Sequence, residues 1–305
     1  MAKRQRTFLV TGGCGFIGSH LCEALLARGD AVRVLDDLSS GKLENLPEGA
    51  RLIRGDVCEP ACVHEAVEAV DGCFHLAAIA SVELGVRDWL GTHRVNLTGT
   101  ITLFEAIRRH VIPVVYASSA AVYGDCEKLP ITEDAGKRPL SAYGADKYAC
   151  ELHARVATHV HGIPTTGLRF FNVYGPRQDP ASPYSGVISI FCDRLRRGEP
   201  LLVYGDGHQT RDFIFVSDAV AALLCAMELR LAGAPSFNCC TGIATSVLAL
   251  ARLVAELSGR NLDLRFTAPR SGEIRHSLGS PVRIRATFDL PEAVILRAGL
   301  TKLLA

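Results

Sequence analysis

The chain has 305 residues, the length of one large domain or two modest ones, and enough to bury a core without disulfide staples. With 48% apolar and 21% charged residues it is not a mainly disordered chain. Its charge balance, 33 − 32 = +1, excludes a general electrostatic footprint for nucleic acid or a membrane surface. Eleven cysteines cannot all pair internally and no two are spaced C-x-x-C, so no zinc ribbon or other metal site is expected. They read as reduced thiols in a cytoplasmic protein. The start, MAKRQRTFLV, has no long apolar stretch, and no run approaches the ~18 apolar residues of a membrane span.

In chain order, short apolar runs alternate with amphipathic stretches. Thr7–Thr11 predicts a strand, Ile17–Arg28 a helix, Ala31–Leu35 a strand, Pro60–Val70 a helix and Cys73–Ala77 a strand. A long helix is expected over Thr92–His110 and a strand over Pro113–Ser118. This alternation predicts βαβ units and a doubly wound parallel sheet covered on both faces. The second half is less regular. It predicts a helix over Ser141–His161, a strand over Thr165–Phe170, a loop over Gly175–Ser185 and a helix over Gly186–Arg197. Short strands fit Leu201–Tyr204 and Phe213–Val216, and helices Asp218–Leu231 and Ser246–Leu257. Ser280-Pro281 predicts a helix start with Ser as N-cap. We expect residues 1–170 to form a nucleotide-binding domain that the segment at about 205–240 rejoins, and 171–305 to form mainly a smaller lobe.

The first strand runs into Thr11-Gly12-Gly13-Cys14-Gly15-Phe16-Ile17-Gly18, which satisfies G-x-G-x-x-G in a strand–turn–helix context. Such a turn lets the backbone approach a pyrophosphate, with the helix N-terminus facing the anion. The second strand ends at Asp36, 18 residues after Gly18, where a carboxylate accepts from ribose hydroxyls and repels a 2′-phosphate. NAD is therefore favoured over NADP, with Asp37 as the neighbouring alternative. Asp56-Val57 could reach the adenine, or Asp56 could cap a helix. Small residues in His75-Leu76-Ala77-Ala78-Ile79-Ala80 suit a backbone passing under a cofactor, or close packing alone.

Tyr143-Gly144-Ala145-Asp146-Lys147 puts a phenol and an ammonium on one helix face. A neighbouring cation stabilises a phenolate, which makes Tyr143 a candidate acid/base for a hydroxyl substrate. Ser118 and Ser119 end a strand where open α/β sheets bind ligands.

Together TGGCGFIGSH, SSAAVYG and YGADK resemble the extended short-chain dehydrogenase/reductase family, and more narrowly its NAD-dependent nucleotide-sugar epimerases, over almost the whole chain. The resemblance implies a Rossmann-type α/β fold with a smaller C-terminal substrate-binding lobe. It implies Tyr143, Lys147 and Ser119 as the catalytic group, with Ser118 a less favoured holder of the serine role. NAD would lie on Gly12, Gly15, Phe16, Ile17, Gly18 and Asp36 or Asp37. It would continue past Asp56, Val57, Leu76, Ala77, Ala78 and Ala80 to Ala117, Tyr143, Lys147 and Phe170. A UDP-sugar would meet Ser81, Ser118, Ser119, Tyr143, Asn172, Gln178, Val187, Tyr204, Arg211, Arg270 and Ser277. The family's customary Gly-Trp before the last helices is replaced by Thr287-Phe288-Asp289-Leu290-Pro291, and Glu273 stands where Asp is usual.

The implied reaction inverts C4 of UDP-glucose/galactose or of the N-acetyl pair through a transient 4-keto sugar, with NAD regenerated each cycle. The resemblance places Ser277 at the family's position beside the sugar, where a small side chain is expected to leave room for an N-acetyl group. Within the family it resembles, 4,6-dehydratases carry an Asp-Glu pair after the serine and UDP-glucuronate decarboxylases a Glu, so Ala120 and Ala121, which cannot move a proton, argue against both. A UDP-glucuronate 4-epimerase stays open, with Arg87 and Ser81 in the candidate loop. So do an NAD(P)H-dependent nucleotide-sugar reductase and, more remotely, a non-catalytic nucleotide sensor. The resemblance also implies a homodimer built on the Thr92–His110 and Ser141–His161 helices.

Overall fold

A computed structural model describes residues 4–180, 186–269 and 274–304. Its strands are β1 (Thr7–Thr11), β2 (Ala31–Asp36), β3 (Arg51–Arg54), β4 (Gly72–His75), β5 (Val114–Ser119) and β6 (Thr165–Phe170), followed by β7 (Asn172–Tyr174), β8 (Leu201–Tyr204), β9 (Thr210–Phe215), β10 (Ser236–Cys239), β11 (Ala244–Ser246) and β12 (Leu264–Thr267). Seven of them form one sheet in the order β10-β6-β5-β4-β1-β2-β3, and every pairing is parallel. The strand order reverses between β1 and β4, the place where open α/β sheets take ligands beyond the strand C-termini.

Helices α1 (Phe16–Ala27), α2 (Pro60–Val67), α3 (Val82–Arg87), α4 (Trp89–His93), α5 (Gly99–Ile107), α6 (Ala142–His161), α7 (Val187–Arg196), α8 (Val216–Leu229), α9 (Val247–Ser258), α10 (Val282–Thr287) and α11 (Leu296–Leu304) surround these strands. The sheet is doubly wound because its strands are apolar on both sides. In β1, Phe8 and Val10 enter one core with α1 and α8, while Leu9 enters the opposite core with α2, α5 and α6. The same alternation divides Cys73 from Phe74 in β4 and Val114 from Val115 in β5. A separate core joins α7, α9 and α11 to β8 and β9. There β9 lies between β7 and β11, and β8 pairs with β12. No helix among the described residues is long and apolar enough to cross a membrane.

Three expectations need correction. The helix foreseen over Thr92–His110 starts earlier, at Trp89, ends at Ile107 and contains a π-helical turn over Arg94–Thr98. Its apolar spacing cannot distinguish that wide turn from regular helix. The strand foreseen from Phe213 begins at Thr210, and Val216 already belongs to α8. Pro281 itself is the N-cap of α10, without a side-chain cap. Ser280 instead donates its N–H to Ile131 O at 2.8 Å.

Candidate active site

Because the sheet is parallel, Thr11, Asp36, His75, Ser119 and Phe170 all arrive at its C-terminal edge. Register brings them side by side, with Thr11 opposite both Leu35 and His75, and Ser119 opposite Phe170. After β1 the chain turns at Gly12, whose φ of +70° favours glycine. A Cβ there would lie 2.8 Å from Ala77 N, and one at Gly18 only 2.1 Å from Gly12 O. Gly15 begins α1 with no side-chain cap, so first-turn N–H groups remain for an anion. Phe16 and Ile17 belong to that turn.

Asp36 accepts from Cys14 N–H and Leu38 N–H, each at 2.9 Å, and is buried against the glycine turn. Burial raises its pKa, while those two amide donors oppose the shift. Asp37 is exposed and accepts from Ser39 N–H and Oγ. The glycine cradle, the uncapped α1 terminus and the adjacent carboxylate fit a dinucleotide with a free ribose.

Tyr143 and Lys147 lie in the first two turns of α6, which Ser141 caps by accepting Gly144 N–H. Lys147 is buried and donates to Ala117 O at 3.0 Å, with Nζ 5.9 Å from the centroid of the Tyr143 ring. Ser119 caps the short 3₁₀ turn Ala120–Val122 by accepting Ala121 N–H. A Cβ on Gly144 would lie 2.6 Å from Ala121 O, so glycine lets the tyrosine's turn close upon the serine's turn. These three side chains can hold and move the proton of a substrate hydroxyl.

Ser118 requires a correction. Its hydroxyl donates to Glu151 Oε1 at 2.6 Å, and only 2% of the residue is exposed. Neighbouring residues of a strand face opposite ways, and Ser118 faces the buried network while Ser119 does not. Glu151 also receives a bidentate pair of hydrogen bonds from Arg169, whose Nη1 donates to the Tyr123 hydroxyl. Tyr123 in turn donates to Asn238 Oδ1. Asp56 is likewise occupied, accepting from Cys58 N–H and pairing with Arg94, while Val57 is buried. Ser81 is buried and caps α3 through Leu84 N–H, and Arg87 pairs with Glu83 at the surface.

Leu76 and Ala77 both donate N–H to Thr11 Oγ1 at 3.1 Å, Ala78 follows half-buried, and Ala80 is exposed. On the other side, Asn172 begins β7 opposite Phe213, and Gln178 Oε1 is buried without a partner among the described residues. Val187 opens α7 and Tyr204 ends β8. Ser277 donates N–H to Thr210 O, which brings it beside Arg211, the next residue in β9. Arg270 lies outside the described residues. Sequence reasoning missed Asp212, fully buried beside Arg211. It accepts from Thr241 N–H and hydroxyl, Gly242 N–H and Gly279 N–H, gathering three chain segments. It also missed the partners Thr11, His75, Asn96 and Thr100. Their only signal was the place of Thr11 and His75 at strand ends.

An apolar cavity of about 460 Å³ under Leu290–Leu296 shares no lining residue with Ser119, Tyr143 and Lys147. No cluster of three or more His, Cys, Asp or Glu suited to a metal occurs among the described residues.

A UDP-glucose 4-epimerase of Mycolicibacterium smegmatis is 37% identical over 302 residues, 96% of each chain. A crystal structure of Thermotoga maritima UDP-glucose 4-epimerase with UDP-glucose superposes with a TM-score of 0.94 at 35% identity, covering 98% of this chain and 97% of that one. The UDP-N-acetylglucosamine 4-epimerase of Methanobrevibacter ruminantium, in complex with UDP-N-acetylmuramic acid, gives 0.93 at 33% identity, covering 99% and 98%. A family model matches residues 8–240, and the chain belongs to that family, the NAD dependent epimerase/dehydratase family.

Proposed function

We propose that this protein is an NAD-dependent epimerase that inverts C4 of a UDP-sugar, accepting UDP-glucose/galactose and the UDP-GlcNAc/GalNAc pair. The meeting of Tyr143, Lys147 and Ser119 beside the glycine cradle carries this reading. NAD on the Gly12–Gly18 turn and Asp36 supplies a reversible hydride acceptor at C4. Tyr143 takes the C4 hydroxyl proton and later returns it. Lys147 keeps its ammonium near the ring. Ser119 orients the same hydroxyl. Asn172 and Arg211 hold the UDP portion, a guanidinium being suited to phosphate oxygens. That remote hold retains the oxidised sugar while it presents its other face. Small Ser277 leaves room for an N-acetyl group.

The working form is a cytoplasmic homodimer in this reading. All eleven cysteines are free thiols, as a reducing compartment requires. Leu152, Val156 and Val160 form an exposed stripe along α6, and Trp89 and Leu90 of α4 are exposed as well. Exposed apolar side chains grouped in this way support a protein contact. Sedimentation at micromolar concentration tests it, and a single 32.8 kDa species would count against the dimer.

The deciding experiment offers UDP-glucose, UDP-GlcNAc and UDP-glucuronate separately, without added NAD, and follows the anomeric protons by NMR. Conversion of the first two to their 4-epimers with no net cofactor change is expected. Carbon dioxide released from UDP-glucuronate would move the assignment to a decarboxylase, and no turnover of UDP-GlcNAc would narrow the substrate range.

A further inference from the structure

One buried hydrogen-bond chain is not used by the reaction described above. Thr11 Oγ1 already accepts from Leu76 N–H and Ala77 N–H, so its own proton goes to His75 Nδ1, 2.8 Å away. The other ring nitrogen, Nε2, faces Thr100 Oγ1 at 3.0 Å. Thr100 donates to Asn96 O at 2.6 Å, so its oxygen accepts from His75. Thr100 Oγ1 also lies 3.3 Å from Cys150 Sγ, which itself donates to Asn96 O, so the assignment of the imidazole as Nε2–H with Nδ1 bare comes from the Thr11 hydroxyl, whose oxygen takes the two amide donors. Thr11, His75, Asn96 and Thr100 are each at most 3% exposed.

The far end of the chain closes on the same loop. Asn96 stands in the π-helical turn, and its side-chain amide clamps one backbone residue from both sides. Its Oδ1 accepts Ile79 N–H at 2.8 Å, and its Nδ2 donates to Ile79 O at 3.1 Å. The segment Leu76–Ile79 is thus pinned at both ends, and Ala77 is the residue that leaves no room for a Cβ on Gly12.

We infer that His75 is a positioning residue. Held as the neutral Nε2–H form, it joins the Thr11 and Asn96 clamps that seat Leu76–Ile79 against the dinucleotide turn. Thr11 from β1 and Thr100 from α5 bond the ring, the charged Lys147 of α6 acts on it, and Cys150 of α6 meets Thr100 behind it. Burial foremost, then the Lys147 charge, hold the imidazole at about 3, so it stays neutral at any working pH. The inference rests on the NAD reading of the Gly12–Gly18 turn.

Two measurements on the full-length protein test it. Long-range ¹H–¹⁵N NMR of the wild type is expected to show His75 as Nε2–H between about pH 5 and pH 8. The other tautomer, or a titration in that range, overturns the assignment. The second compares Thr11→Val, which removes the hydroxyl, with Thr11→Ser, which keeps it. NAD dissociation, followed after dilution, should quicken about tenfold in T11V and stay within about twofold of wild type in T11S. If T11V fails to fold, Thr100→Val and Thr100→Ser repeat the comparison. Equal NAD release from the Val and Ser variants, even with a lowered Tm, makes the chain merely structural and overturns the proposal. A wild type that binds no NAD at all sinks the underlying reading as well.

Discussion

The ammonium of Lys147 hangs on the carbonyl oxygen of Ala117, 3.0 Å away, near the C-terminal end of β5. One of its three donors is thereby fixed, and the buried cation cannot swing away from Tyr143. Lys147→Met should therefore act on the chemical step. We expect kcat for UDP-glucose epimerisation to fall about 10²–10⁴-fold, with Tyr143→Phe at least as severe. Lys147→Arg should not rescue, because a planar fork cannot take the place of a point charge in a buried slot. Steady-state kinetics check this. A change confined to KM would contradict it.

Gly144 makes a separate demand. An alanine there meets Ala121 O, which is backbone and cannot swing aside. Gly144→Ala should cost about 1–3 kcal/mol of stability and widen the gap between the Tyr143 and Ser119 turns. Activity should drop at least about tenfold while NAD content is kept. Urea unfolding, turnover and the absorbance of released NAD separate the three effects. Unchanged turnover would mean the two turns need not touch.

Part of this site was legible because its signals are local. The run Thr7–Thr11 followed by glycines has one strand–turn–helix reading, and Tyr143 and Lys147 share a helix face by spacing alone. Long-range partners were not legible. Nothing in Ser118-Ser119 says which hydroxyl turns inward, since that depends on Glu151, 33 residues later. Thr11 and His75 are 64 residues apart and meet only because β1 pairs with β4. Short strands such as β7 and β11 lack enough residues to show a period. Asp212 looked like a neighbour of Arg211 until two distant segments, Thr241-Gly242 and Gly279, were folded onto it.

The Glu151–Arg169 pair is buried, with side chains 7% and 6% exposed, and its bidentate bonds join α6 to β6. Removing one member strands the other's charge. Arg169→Met should cost about 3–5 kcal/mol, as should Glu151→Leu. The double variant should cost clearly less than the sum of the two, because neither charge remains to be desolvated. A double-mutant cycle in urea measures the coupling. Simple additivity would show that each charge finds solvent on its own.

Acid stability follows from His75. Its ordinary pKa is 6.5, and in the fold burial and Lys147 lower it to about 3. An unfolded chain therefore binds a proton here between those values while the folded chain does not. The sign is fixed by this difference: the contribution is fully present above pH 6.5 and is lost as pH falls from 6.5 towards 3. Its slope is about 1.4 kcal/mol per pH unit. Other groups act on the same curve. Burial raises Asp212 and Asp218, so their ionisation weakens the fold as pH rises through the window above 3.8. Glu228, lowered to about 2 by hydrogen bonds from Arg6 foremost and Arg28, adds stability lost below 4.5, much reduced by solvent screening. Subtracting the curve of His75→Asn from that of the wild type removes these shared terms. Urea unfolding at about pH 7 and at about pH 5 should then give a wild-type loss larger than that of the variant by about 2 kcal/mol. Equal losses would mean that the buried imidazole takes up its proton without unfolding.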